Sequence, residues 1–204
     1  MATANTDIVQ ESDGSLSKQV RTLGSAGLPA SLGQQTSANS TSVVLASDYT
    51  TSWGSSVTVT RPSDTATYGV NDVVGATAAA VTFANATGGA GEYMVTSVSF
   101  QRDVTALISG ETSYVLHLYN VTPPSALADA ATHDVPSGDR AAYLGAINLG
   151  TPVDLGSTLY VEQNGVNKQI TALSTSLFGY LVTVGTYTAT SAAVHRIAIH
   201  TVKV

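Results

Sequence analysis

From Ser55 onward, apolar and polar residues alternate at the period of a half-buried strand, punctuated by Gly, Pro, Asn and Asp. Val57 and Val59 alternate with Ser56, Thr58 and Thr60, and Arg61-Pro62 ends the run. A short apolar run follows at 78–84. The pattern over 92–102 places Met94, Val98 and Phe100 on one face and Tyr93 and Val95 on the other. Tyr114–Tyr119 reads as a strand covered on both faces. Residues 158–162 and 166–172 flank Asn164-Gly165, which predicts a hairpin, because a type I′ turn needs positive φ at both central positions. Strands at 177–184 and 193–204 complete the series. Helical signal is confined to one turn over Ser125–Ala131, after Pro123-Pro124.

Many short strands, long loops and no alternating helices predict an all-β fold. The expected form is an antiparallel β-sandwich, jelly-roll-like, over residues 53–204. Residues 1–52 differ. They hold one aromatic, Tyr49, and are dominated by Ser, Thr, Ala, Gln and Asn. So few large apolar groups cannot offset ordering entropy with a core of their own. This segment reads as an extended N-terminal arm ordered by a partner, with a reach of roughly 165 Å at about 3.3 Å per residue. Its apolar groups fall in two short clusters, and Leu28, Pro29, Leu32, Val43, Val44 and Leu45 are the candidate partner-binding residues. They would dock as pegs or as added strands.

Composition narrows the function. The chain has 204 residues, with Lys+Arg 8 against Asp+Glu 14, a formal net charge of −6 and only 11% charged residues. Dispersed basic residues in an acidic chain give no electrostatic footprint for nucleic acid. No apolar run reaches the length of a membrane span, and Met1–Gly14 shows no signal peptide. The absence of cysteine removes disulfides, thiol catalysis and cysteine-based zinc sites.

Candidate chemistry is sparse. His195 and His200 stand an odd number of residues apart in one strand, so they face opposite sides and cannot share a metal without a bulge. His117, inside an apolar strand, reads as a core or interface residue. Asp129, His133, Asp134 and Asp139 share one loop, but their spacing matches no calcium loop. Ser15–Lys18 fits the bare S-x-x-K string in a region with no fold to hold it, and Thr87–Gly91 lacks the lysine of a phosphate-binding loop. Glutamates occur only at 11, 92, 111 and 162, a poor supply for glycoside hydrolysis. The Ser/Thr-rich chain carries three Asn-x-Thr/Ser strings, which mean nothing without a secretory signal. No catalytic residue, metal ligand or cofactor is assigned, and the chain is expected not to be an enzyme. Nine tyrosines with Ser, Thr and Asn suit both protein or sugar contacts and ordinary sandwich cores.

Several strings carry a family resemblance. Leu28-Pro-Ala-Ser-Leu-Gly-Gln-Gln-Thr-Ser-Ala-Asn-Ser-Thr-Ser-Val-Val-Leu-Ala-Ser-Asp48 resembles a stretch near the N-termini of tailed-bacteriophage virion proteins. Residues 59–75, 116–124, 136–140, 152–160 and 177–183 resemble segments of phage structural proteins, so the likeness spans most of the chain. The resemblance implies a virion structural protein: a capsid decoration (cement) protein or a head-fibre component, with no catalytic motif to carry over.

On that basis the expected role is decoration and stabilisation of the capsid. The arm would grip the shell or neighbouring copies while the sandwich forms an oligomeric body. Expected partners are the major capsid protein and copies of itself, with a trimer where local three-fold axes are occupied. The place would be the outer capsid surface, after synthesis in the host bacterial cytoplasm. The rival readings are a tail or head fibre module that binds a host surface glycan, and a polysaccharide depolymerase.

Overall fold

The structure is a computed structural model that describes residues 6–10, 16–20, 52–76, 78 and 80–204. The chain divides into two compact units, Met1–Tyr49 and Thr50–Val204. In the first, β1 (Thr6–Gln10) and β2 (Leu16–Val20) form an antiparallel pair with Thr6 opposite Val20 and Gln10 opposite Leu16. The six candidate partner-binding residues of the arm, Leu28, Pro29, Leu32, Val43, Val44 and Leu45, lie outside the described residues.

The second unit contains β3 (Ser52–Thr60), β4 (Thr67–Tyr68), β5 (Val81–Phe83), β6 (Gly91–Arg102), β7 (Tyr114–Tyr119), β8 (Tyr143–Gly150), β9 (Val153–Asp154), β10 (Leu159–Ala172), β11 (Leu177–Thr183), β12 (Tyr187–Thr188) and β13 (Val194–Lys203). One sheet has five strands in the order β3-β13-β6-β10-β9, the other four in the order β5-β11-β7-β8. A short ribbon pairs β12 with β4. The major strands change sheet at nearly every step, and the first and last lie side by side. All of these ladders are antiparallel. That order is the double Greek key of a jelly roll, the all-β sandwich that the strand pattern predicts. The single helical turn expected over Ser125–Ala131 is absent. There the Tyr180 hydroxyl accepts from Leu127 N at 3.2 Å and donates to Ser125 O at 2.8 Å, so backbone groups that a helix would pair are bonded to a side chain instead.

The core fills the space between the sheets. Val59, Phe83, Val95, Val98, Phe100, Leu116, Leu118, Ile147, Leu149, Ile170, Leu177, Leu181, Ile197 and Ile199 form one buried cluster drawn from both. β11 and most of β7 are covered on their outer face too. Val73, Tyr119, Ala142, Tyr180 and Val182 form a second cluster under residues 71–74 and the loop 120–142. This explains their nearly continuous apolar sequences. Trp53 packs edge-on to Tyr93, with ring centroids 5.3 Å apart, and over Gly88, where a Cβ would stand 2.2 Å from the indole.

Two expectations fail at one place. Val95 pairs with Thr201 and Ser97 with His200, which leaves Thr96 as an extra residue in β6. This β-bulge changes the parity of the strand, so Tyr93, Val95, Val98 and Phe100 are all buried between the sheets and Met94 lies on the other face. Opposite the bulge, β10 spends three residues, 165–167, against that one. The expected Asn164-Gly165 hairpin is therefore absent, and β10 runs through it as one strand. Gly165 (φ 65°) and Asn167 (φ 49°) take left-handed conformations that a bulge requires as much as a tight turn does.

Candidate functional site

Three places concentrate polar chemistry in the second unit. The first caps one end of the sandwich. Arg102 follows Phe100 by two along β6, so it points inward at the end of the strand. Its side chain is 1% exposed and that of Glu111 0%. Arg102 Nη2 donates to Glu111 Oε2 at 2.5 Å, and Tyr114 Oη donates to Glu111 Oε1 at 2.6 Å. The Tyr114 oxygen accepts from Arg102 Nη1 at 3.2 Å and stands 2.9 Å from the Tyr187 hydroxyl. Burial pushes the Tyr187 phenol up to about 12, against the hydrogen bond with Tyr114, which pulls it down. The Tyr187 ring lies 5.2 Å from Tyr68, whose hydroxyl donates to Asp129 at 2.5 Å and accepts from Arg61 Nε. Arg61 also reaches Asp129 Oδ2 at 2.9 Å and Thr190 O at 2.8 Å. The result is a bonded plug joining β4, β6, β7, β12 and four loops.

His195 sits at the edge of this plug. It pairs across the ladder with Arg102 and stacks on Phe100 at 5.6 Å. Both ring nitrogens, and Arg102 Nε, are buried with no hydrogen-bond partner. Burial, helped by the Arg102 and Arg61 cations, pushes the imidazole down to about 3. His200 is exposed on the opposite face, as its spacing from His195 predicts.

The second place lies on the outer face of the four-stranded sheet. His117 in β7 and His133 in the overlying loop have ring centroids 3.9 Å apart. His117 Nδ1 hydrogen-bonds with Tyr143 Oη at 2.9 Å, and His133 Nε2 with Tyr119 Oη at 3.1 Å. Burial, and then the neighbouring His133, push His117 down to about 4, and burial lowers His133. His133, bonded to Tyr119 and packed on the His117 ring, thus ties the loop 120–142 to the sheet. The acidic members of that loop go to separate tasks. Asp129 pairs with Arg61, and Asp139 Oδ1 accepts from Ser125 N at 3.1 Å. Asp134 turns back to Val135 N at 2.7 Å. Among the described residues, no three of His, Asp and Glu converge to hold a metal.

The third place is a groove of about 620 Å³ between β8 and β10, lined by Ile147, Asn148, Gly150, Gln163, Val166 and Lys168. It presents amides and one ammonium but no aromatic ring and no carboxylate. Thr87–Gly91 forms the loop into β6, where Gly88 N donates to Tyr93 Oη at 3.1 Å.

The strand pattern did not single out Arg61, Arg102, Glu111 or Asp129 as a joined network. The one available signal was parity, since Arg102 continues the inward series of Phe100.

Comparisons with known proteins add little. No family profile matches the chain, and no curated protein matches it. Among solved structures, a chain of the native virion of Kashmir bee virus at neutral pH is 9% identical. The match covers 100% of this chain and 91% of that one, with a TM-score of 0.28. So loose a superposition carries no argument, and the fold stands on the strand order given above.

Proposed function

We propose that the protein is a non-enzymatic structural component of a tailed-phage virion, decorating and stabilising the capsid from its outer surface. The carrying observation is that the buried ion pairs are internal. Arg61 with Asp129 and Arg102 with Glu111 brace the sandwich, and among the described residues Lys168 lines the groove with no carboxylate, imidazole or hydroxyl beside it. A rigid jelly roll suits a part repeated over a lattice, where modest contacts multiply into avidity. The resemblance of Leu28–Asp48 to phage virion proteins supports the same reading. The arm would bind the major capsid protein or neighbouring copies, through Leu28, Pro29, Leu32, Val43, Val44 and Leu45.

Antibody labelling of intact virions, read by electron microscopy, tests the location. Label over the whole head is the expected result, and label confined to the tail or absent from virions overturns it. Deleting residues 1–50 is expected to abolish capsid association while the remaining domain keeps a cooperative unfolding transition. Unchanged association would remove the arm from the account.

A second reading, a fibre module binding a host glycan, draws on the groove, where Asn148, Gln163 and Lys168 offer hydrogen bonds to sugar hydroxyls. It lacks an aromatic platform there. A glycan array on the intact protein decides it, with binding lost in Asn148→Ala as the supporting outcome.

A further inference from the structure

The two sheets end in four edge strands, and an open edge is a template for another chain unless it is blocked. β5 has three residues and β9 two, with Asp154 as one of them. β8 is broken by Gly145 (φ 100°) and Gly150 (φ 84°), and its register with β7 shifts near both ends. The Lys168 ammonium also sits over Gly145, 2.7 Å from where a Cβ would be. Those three edges carry the usual guards of shortness, charge and kinks.

β3 carries none. It runs nine residues, Ser-Trp-Gly-Ser-Ser-Val-Thr-Val-Thr, without a charge or a proline. Its register with β13 is unbroken from Ser52 opposite Val202 to Thr60 opposite Val194. Among the described residues, no strand pairs with its other side.

The phase of the ladder says which groups are open. Arg61 N donates to Ala193 O at 3.0 Å. Hydrogen-bonding direction alternates along an antiparallel strand, so Val59, Val57, Ser55 and Trp53 turn their backbone groups to β13. Gly54, Ser56, Thr58 and Thr60 then aim theirs at the open edge. The side chains on these positions are small, neutral and exposed.

We propose that the open edge of β3 pairs with β3 of a second copy, antiparallel about a two-fold axis, joining two five-stranded sheets into one. Self-pairing brings no like charges together, because the strand has none. A two-fold interface uses the same patch on both copies, and antiparallel β3 is its own complement. The strand spans about 30 Å, at about 3.3 Å per residue. This contact is separate from any capsid role and would hold for either reading of function.

The test uses the full chain, whose lack of cysteine makes an introduced thiol unique. Ser56→Cys under mild oxidation is expected to give a disulfide-linked dimer, and Asn148→Cys on β8 none. Thr58→Pro removes only an N–H that points at the open edge, and it is expected to abolish both the cross-link in the Ser56→Cys background and the dimer seen by sedimentation. If Thr58→Pro does not fold, Ser56→Lys, which sets like charges opposite each other on the axis, carries the test by sedimentation. A monomer at all concentrations, a cross-link indifferent to Thr58→Pro, or a three-fold assembly that Thr58→Pro leaves intact overturns the proposal. So does protection of the edge by residues 21–51 of the same chain, seen as hydrogen exchange at Ser56 and Thr58 that quickens when those residues are deleted while the mass stays monomeric.

Discussion

Arg102 and Glu111 lie nine residues apart and are both removed from water. Each charge is tolerable only because the other, with Tyr114, is there. Glu111→Gln is therefore expected to cost about 3–5 kcal/mol in urea unfolding, since it leaves a buried guanidinium unpaired. Replacing both, as Arg102→Met with Glu111→Leu, is expected to cost far less. His195 makes the opposite case, a polar ring whose nitrogens gain nothing from burial. In the unfolded chain a histidine titrates near 6.5. In the fold, burial pushes His195 down to about 3. Between those values the unfolded chain binds the proton and the folded one does not. Stability is then full above about pH 6.5 and falls as pH drops toward 3. His195→Phe is expected to hold or raise stability at pH 7 and to reduce the acid slope, to which His117 and His133 also contribute, read as urea midpoints from pH 7 to 4. Little of this network was legible beforehand. Arg61 meets Thr190 at a separation of 129 residues, and no local pattern reports a partner that distant.

At the scale of elements, alternation found the long strands of the second unit except β8, missed the short β4, β9 and β12, and misassigned a face where one residue was inserted. Thr96 has no pairing partner, and its hydroxyl donates to His200 O at 3.2 Å. A period-two reading carried across it put Tyr93 and Val95 on the wrong side. The same insertion disguised Asn164-Gly165, because positive φ serves a bulge and a turn alike. Deleting Thr96 is expected to preserve cooperative folding, checked by near-ultraviolet circular dichroism and thermal unfolding. The deletion restores strict alternation, so Tyr93, Val95, Val98 and Phe100 stay on the core face and β6 can pair with β13 without a bulge. Asn167→Pro is expected to lower the unfolding temperature by the same measurement, since proline cannot take the left-handed conformation that Asn167 holds.

For the molecule as a whole, the jelly roll was legible because strand count, turn spacing and missing helices all pointed one way. Which strand lies beside which was not, and it is this order that brings β3 and β13 together and leaves β3 at a margin. The candidate partner-binding residues came from the arm, and they lie outside the described residues. The body offers its own surfaces instead, a neutral edge and a polar groove. The chain's single tryptophan, Trp53, belongs to that edge strand and touches Tyr93. Its fluorescence is therefore a built-in gauge of the margin. The indole's emission colour and anisotropy should change as the strand gains or loses a neighbour, with no dye attached and no other indole in the chain to blur the signal.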